Sequence, residues 1–430
     1  MYNWPKMYNE KQVSAEEAAA TIKSGEQLWF PLGAAEPWAF IQALIARKEN
    51  LQDVVVNQLL PAHPGYFDEA TSCHIHHNSL FTSGASRKAV QGGWAEFTPN
   101  YFHEVPRLIR DYWQVDVACA SVSPMDEHGF FSLGLGPEYI LEAILNAKKI
   151  ILEVNPAIPR CFGDCHVHIS VVSHIIKNNE PPPELLPAPI SELDKTIGNF
   201  VTDLINDGDT LQIGFGGQPN AICNALKSKK NLGIHTEMIT EGIMELFYSG
   251  AINNSRKVFH PGKLVGTFAW GTKKLYAFMN NNPIIELHPV DYTNNPYNIG
   301  KNDNMVSVNS AIEVDLLGQV CAESMGAKQW SGTGGQVDFF RGANISKGGK
   351  GFVTIPSTAK SGTVSRIVPT LSPGAVVTTS KNDVDHVVTE YGVARLRGKS
   401  ARQRALELIA ISHPDFRKDL KKAAEKMHVI

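Results

Sequence analysis

Thr210-Leu-Gln-Ile-Gly-Phe-Gly-Gly-Gln-Pro219-Asn-Ala-Ile-Cys-Asn-Ala-Leu226 passes from an apolar β-type stretch through a glycine-rich loop into a segment opened by proline. Proline suits the first turn of a helix, and the apolar residues behind it, Ile222, Ala225 and Leu226, recur at helical spacing. The reading is strand, loop, helix. The same order stands near the start of the chain. Gln27 to Leu32 reads as a strand, Gly33-Ala34-Ala35 as a small-residue loop, and Pro37-Trp-Ala-Phe-Ile-Gln-Ala-Leu44 as a proline-led helix. Pro, Ala, Ala and Leu coincide when the two helices are superposed in sequence. A further helix precedes each strand: Ser14 and Glu17 form a capping-box pattern in the first case, and Ile197 to Ile205 reads as helix in the second. The chain therefore reads as a tandem duplication, with two related open α/β domains and mostly parallel sheets.

Working outward, Val54-Val55-Val56, Val115 to Val122 and Lys149 to Val154 are apolar runs suited to buried parallel strands. Strands that alternate with helices give a parallel sheet. The segment Asn178 to Ser191 carries Pro181-Pro182-Pro183, Pro187 and Pro189 and continues neither helix nor central strand. It separates an N-terminal domain, 1–185, from a C-terminal domain, 191–430. A length of 430 residues suits two such cores. Hydrophobic residues at 43%, charged residues at 19% and a net charge of −3 are those of a soluble globular protein with no nucleic-acid or anionic-membrane footprint. No run approaches the ~18 apolar residues of a membrane span. The start, Met1-Tyr2-Asn3-Trp4-Pro5-Lys6, lacks a signal-peptide pattern, so a cytoplasmic location is expected.

Four stretches carry possible chemistry. In Gly233-Ile-His-Thr-Glu237-Met-Ile-Thr-Glu241-Gly242 a glutamate follows an apolar run, before a helix read as Ile243 to Tyr248. A carboxylate at a strand's carboxyl edge can be a nucleophile, a general base, a helix-capping acid or a surface charge. The loop Gly214-Phe215-Gly216-Gly217-Gln218 leaves free N–H groups at a helix start, which favours an anion; tight packing of the turn is an equal reading. Ser331-Gly-Thr-Gly-Gly335-Gln-Val-Asp-Phe339 can aim a backbone N–H at a developing oxyanion, or serve as a plain turn. Lys360, among small residues, can meet a phosphate or carboxylate. Tyr391 to Lys399, basic and glycine-bounded, reads as a solvated helix start or as a site for the nucleotide end of a cofactor. The groups Cys73 to His77 and Cys161 to His168 lack zinc-site spacing, and no metal is expected. Buried reduced thiols are the expected state of the cysteines.

Taken together, Gly233-Ile-His-Thr-Glu-Met, the loop Ser331 to Phe339 and Tyr391-Gly-Val-Ala-Arg-Leu-Arg-Gly resemble the acetyl-CoA hydrolase/transferase family. Ser123-Pro-Met-Asp-Glu-His-Gly and Asn155-Pro-Ala-Ile-Pro-Arg-Cys-Phe-Gly-Asp extend the resemblance through the first half. Within the family the chain is most similar to 4-hydroxybutyrate and butyryl-CoA:acetate CoA-transferases. The resemblance implies that Glu237 is a nucleophile carrying CoA as a thioester and that Gly335 donates its N–H to the oxyanion. It further implies that Gly214 to Gln218, Gly335 and Lys360 contact CoA. It implies coenzyme A as substrate rather than a permanently bound cofactor, short-chain acyl-CoA and acetate as partners, and a homodimer or larger homo-oligomer. Hydrolysis of a short acyl-CoA is the alternative activity.

Overall fold

The computed structural model describes residues 3–64 and 67–430. They form two compact units: Met1–Leu186 with Val265–Thr293, and Pro187–Leu264 with Asn294–Ile430. The chain thus passes between units at the proline-rich segment and twice more, on either side of 265–293.

The first unit is built on seven parallel strands: β1 Gln27–Trp29, β2 Val54–Leu59, β3 Ile75–Phe81, β4 Glu96–Phe97, β5 Val117–Val122, β6 Lys149–Val154 and β7 His174–Lys177. Their order is β7-β6-β5-β1-β2-β3-β4. The expected Val115–Val122 strand begins two residues later. Strand β3 starts at Ile75, takes in His76 and His77, and ends at Phe81. Helices α1, Ala15–Ala20, and α2, Trp38–Ala46, bury Ala18, Phe40, Ile41 and Leu44 against Leu28, Val54 and Val117.

In the second unit the principal sheet contains β8 Thr210–Ile213, β9 Gly233–Ile234, β10 Met305–Ser310, β11 Lys350–Thr354, β12 His386–Thr389 and β13 Gly392–Arg395. The order is β9-β8-β10-β11-β12-β13, parallel except for the last strand. The helices that matter for the site are α3 Glu192–Asp203, α4 Gly217–Ala225, α5 Glu241–Tyr248, α6 Pro296–Gly300 and α7 Gln336–Ile345. Two expectations shift here. Helix α5 opens at Glu241 rather than Ile243. The stretch from Tyr391 is no helix start but the antiparallel edge strand β13; the next helix opens at Ala401 behind a Ser400–Gln403 capping box.

Five strands correspond between the sheets, β7-β6-β5-β1-β2 matching β12-β11-β10-β8-β9. The match extends to individual bonds. Ser14 with Glu17 and Ser191 with Asp194 complete reciprocal capping boxes on α1 and α3. Gly25 and Gly208 turn the chain at φ +80 and +88. Their N–H groups donate to Gln52 and Lys230, each at 2.9 Å. Lys149 opens β6 and Lys350 opens β11. Lys149 Nζ donates to the carbonyl of Thr21, the C-cap of α1, at 2.7 Å and pairs with Glu26 at 3.5 Å. Lys350 Nζ donates to the C-cap carbonyl of α3, Leu204, at 2.7 Å and pairs with Asp209 at 3.6 Å. A cation at a helix C-terminus satisfies an orphan carbonyl and complements the dipole. These shared devices carry the duplication further than the few identical helix residues do.

Replacing either lysine with methionine removes one helix-capping bond and one ion pair while keeping the aliphatic stem. Lys149→Met and Lys350→Met should each cost about 1–2 kcal/mol. Amide hydrogen exchange should show faster exchange in the last turn of α1 for the first variant and of α3 for the second.

Candidate active site

Strand β9 lies at the sheet edge, beside β8, with Leu211 opposite Ile234. An edge strand leaves N–H and C=O groups open, and here side chains close them. Asn254 Oδ1 accepts from Ile234 N at 2.9 Å, and Lys257 Nζ donates to Ile234 O at 2.8 Å. Gly233 makes room for that lysine: a Cβ there would stand 2.5 Å from Lys257 Cγ. His235 follows, fully buried, with its ring 6.2 Å from Phe259 and 6.3 Å from Phe339, and its Nδ1 3.3 Å from Asn302 Nδ2. The chain then bends, and Glu237 leaves the sheet at the carboxyl end of β9.

Its partners come from α6 and α7. These helices pack unusually closely because each contributes a glycine to the contact. A Cβ on Gly342 would lie 2.3 Å from Ile299 Cγ2, and one on Gly300 would lie 2.5 Å from Ile345 Cγ2. Close packing draws Asn294, just before α6, to the start of α7, where Gly335 is the N-cap and Asp338 lies in the first turn. Asn294 Nδ2 donates to Glu237 Oε2 at 2.7 Å and lies 3.5 Å from Asp338 Oδ2. The Gly335 N–H faces the Glu237 carboxylate and favours its charged form. Asn294 is 0% and Asp338 1% exposed, while Glu237 remains partly accessible.

Burial is the main influence on Glu237 and raises its pKa from the usual 4.5 to about 7. The Asn294 amide and the Gly335 N–H stabilise the anion and pull the value down, while Asp338 pushes it up as a second negative charge. The carboxylate is therefore oriented by neutral donors and kept far more basic than a surface glutamate.

Gly335 sits against this carboxylate. An added Cβ would stand 1.9 Å from Glu237 Oε2 and 2.4 Å from Asn294 Nδ2. The sequence suggests a positive φ here, and the structure corrects this. Gly335 has φ −92, and the left-handed residue is its neighbour Gly334, at φ +56. The requirement for glycine at 335 is space, not backbone conformation.

The loop Gly214 to Gln218 stands at the N-terminus of α4, which opens at Gly217 rather than Pro219. Phe215 is 43% exposed and Gln218 is buried. The two central glycines differ. Gly216 holds φ +132, and a Cβ there would make only ordinary contact with Pro219 Cδ at 3.7 Å, while a Cβ on Gly217 would meet Asp194 Oδ2 at 2.8 Å. A bulky residue would strain the backbone at the first and collide with the α3 capping box at the second, so either substitution should cost stability. Lys360 lies at the exposed tip of the hairpin Thr358–Ala359/Val364–Ser365, at φ +49, and no hydrogen bond links it to Glu237.

The cysteine–histidine clusters have structural work of their own. His74 Nδ1 meets Leu51 O at 2.9 Å, and His76 pairs with Asp53 at 3.6 Å. His77 packs on Phe67 at 4.1 Å, and burial lowers its pKa to about 3. Cys161 and Cys165 are buried and donate to the carbonyls of Gly134 and Cys161. Burial raises the pKa of both thiols, Cys165 to about 12. His166–His168 forms a short strand, with Val167 buried and the histidines partly exposed.

Sequence reasoning found Glu237 and Gly335 but missed Asn294 and Asp338. Asp338 stands inside the quoted glycine loop motif. Asn294 belongs to Thr293-Asn294-Asn295-Pro296, which reads as an ordinary turn before a helix.

Two family models match the chain: the acetyl-CoA hydrolase/transferase N-terminal domain over residues 2–187 and the C-terminal domain over 271–424. A succinyl-CoA:cyclohexane-1-carboxylate CoA transferase from Geobacter metallireducens is 59% identical, covering 100% of this chain and 98% of that protein. A 4-hydroxybutyrate coenzyme A transferase from Clostridium kluyveri is 50% identical over 97% of this chain and 98% of its own length. The crystal structure of RipA from Yersinia pestis superposes with a TM-score of 0.96 at 38% identity, covering 100% of both chains.

Two outcomes test the site. At pH values between about 4.5 and about 7 the folded protein holds a proton on Glu237 that the unfolded chain has lost. Stability therefore falls as pH rises through that window. Glu237→Gln cannot ionise, so its melting temperature should exceed that of the wild type at pH 8 and converge with it near pH 4.5. Gly335→Ala keeps an allowed backbone but displaces the carboxylate; it should fold normally and lose about 10²-fold or more in turnover.

Proposed function

The chain belongs to the acetyl-CoA hydrolase/transferase family, and from that premise we propose that it moves coenzyme A from a short acyl-CoA to a small carboxylic acid through a thioester on Glu237. The observation that carries this reading is the partly buried Glu237 carboxylate, held by Asn294 and faced by the Gly335 N–H. A carboxylate that burial makes more basic is a better nucleophile, and its partners fix its direction of attack. Glu237 oxygen attacks the thioester carbonyl and forms an acyl–glutamyl anhydride, releasing CoA as thiolate. The thiolate attacks the Glu237 carbonyl, leaving the acyl group as free carboxylate and CoA on the enzyme. An incoming carboxylate reverses both steps, so the thioester energy is retained.

CoA meets the Gly214–Gln218 loop, where the start of α4 supplies N–H groups, with Gly216 at closest approach and Lys360 reaching toward the cofactor's anionic part. The chain motifs favour butyryl- or 4-hydroxybutyryl-CoA with acetate. Similarity at 59% to the Geobacter metallireducens protein favours succinyl-CoA as donor and cyclohexane-1-carboxylate as acceptor. We give that pair the first place in a substrate panel. Hydrolysis of a short acyl-CoA is the second reading, since the family name covers both activities.

Incubation with acyl-CoA and no acceptor should leave CoA attached to the protein, and borohydride reduction should mark the peptide containing Glu237. Glu237→Gln should form no adduct, and Glu241→Gln should keep substantial activity. An adduct on Glu241 would refute the proposal. Acyl-CoA loss that is equally fast with and without any carboxylate in the panel would assign the enzyme to hydrolysis.

A further inference from the structure

Asn294 has an amide with one nitrogen and one oxygen, and the site treats the two ends differently. The nitrogen faces two carboxylates, Glu237 at 2.7 Å and Asp338 at 3.5 Å. The oxygen is buried and has no hydrogen-bond partner. Left to itself, a buried amide would turn its oxygen toward a donor. Here such a turn would set that oxygen against two anionic acceptors. The orphaned carbonyl is thus the cost of holding the nitrogen where it is, and Asp338 supplies the part of that constraint which is independent of Glu237.

We propose that Asp338 is a positioning residue for Glu237: from 3.5 Å away it holds the Asn294 amide with its nitrogen toward the nucleophile. This rests on the reading of Glu237 as nucleophile. Asp338 acts through Asn294 and through its field. The role matters at the step where Glu237 changes character. As the carboxylate becomes an anhydride and then a thioester, its charge disappears and it ceases to compel the amide to stay. Asp338 takes no part in these bond changes and keeps the Asn294 N–H directed at the Glu237 carbonyl for the next attack.

Other titratable groups of this unit lie on the elements around Glu237. Lys257 is bound to the carbonyls of Ile234 and Lys263. His235 lies between Phe259 and Phe339 and meets Asn302. Glu241 heads the next helix. Gly335 and Asn294 carry no charge. Asp338 is the group whose charge acts on Glu237.

The test compares wild type with Asp338→Asn, which keeps the shape and removes the charge, and Asp338→Glu, which keeps the charge. The protonation midpoint of Glu237 is read from carboxyl-13C-glutamate NMR, with its resonance identified by its loss in Glu237→Gln. The rate of CoA-adduct formation is read in parallel at pH 8. Asp338→Asn should lower the midpoint by about half a pH unit or more and slow adduct formation about tenfold or more. Asp338→Glu should leave the midpoint closer to wild type than Asp338→Asn does. An unchanged midpoint in a folded Asp338→Asn protein overturns the proposal, whatever its activity. A lowered midpoint in a protein that forms no adduct even as wild type upholds the influence of Asp338 on Glu237 and refutes the CoA-transfer reading instead.

Discussion

The site depends on one desolvated carboxylate that is held without being neutralised. A cation beside Glu237 would fix its position but would also return its pKa to the ordinary range or below it. The neighbours are an amide, a backbone N–H and a second acid. Each orients or burdens the carboxylate, and none quenches it. The surrounding structure follows from that need. Gly335 must lack a side chain because the carboxylate occupies its Cβ position. Gly300 and Gly342 must lack them because α6 and α7 have to approach closely enough for Asn294 to reach across.

The two halves share a scaffold and differ at one place. Capping boxes, turn glycines and strand-opening lysines recur bond for bond, so the shared features are those that close the sheet and its helices. Leu28 pairs with Val56 and Leu211 with Ile234, which sets Val56 opposite Ile234 in the repeat. Glu237 then corresponds to Leu59. Leu59 is a buried strand residue. In the second unit the equivalent strand ends after two residues, and the freed chain bends to present an acid. A shortened edge strand, closed by Asn254 and Lys257, is what converts a core position into a site position.

Much of this was legible in the sequence because it is local. Strand-loop-helix order, the capping boxes and the proline-rich break are written in consecutive residues. Glu237 and Gly335 were found through motifs, and the motif could not say why glycine stands at 335. A positive φ was the natural guess; the collision with a residue 98 positions earlier is a tertiary fact (335 minus 237). Asn294 was illegible for the same reason. An asparagine before Asn-Pro has a sufficient local explanation, and nothing nearby in sequence marks it as the donor to a distant acid. The Cys–His clusters show the reverse case. Their residues are adjacent in sequence, which invites a shared role, yet strand alternation and burial give each its own partner.

Neutral donors also suit a reaction that must run in both directions. In the proposed cycle the group at position 237 is by turns a carboxylate, an anhydride and a thioester. A lysine or arginine partner would bind the first of these far more tightly than the other two, and that difference would be added to the barrier for leaving the resting state. An amide N–H and a backbone N–H donate to a carboxylate oxygen and to an acyl carbonyl oxygen with less disparity, and most strongly to the oxyanion between them. Burial narrows the gap further by raising the free energy of the resting anion. In that proposed cycle the combination divides the work: desolvation for reactivity, neutral donors for direction, and Asp338 behind them to keep the amide facing forward.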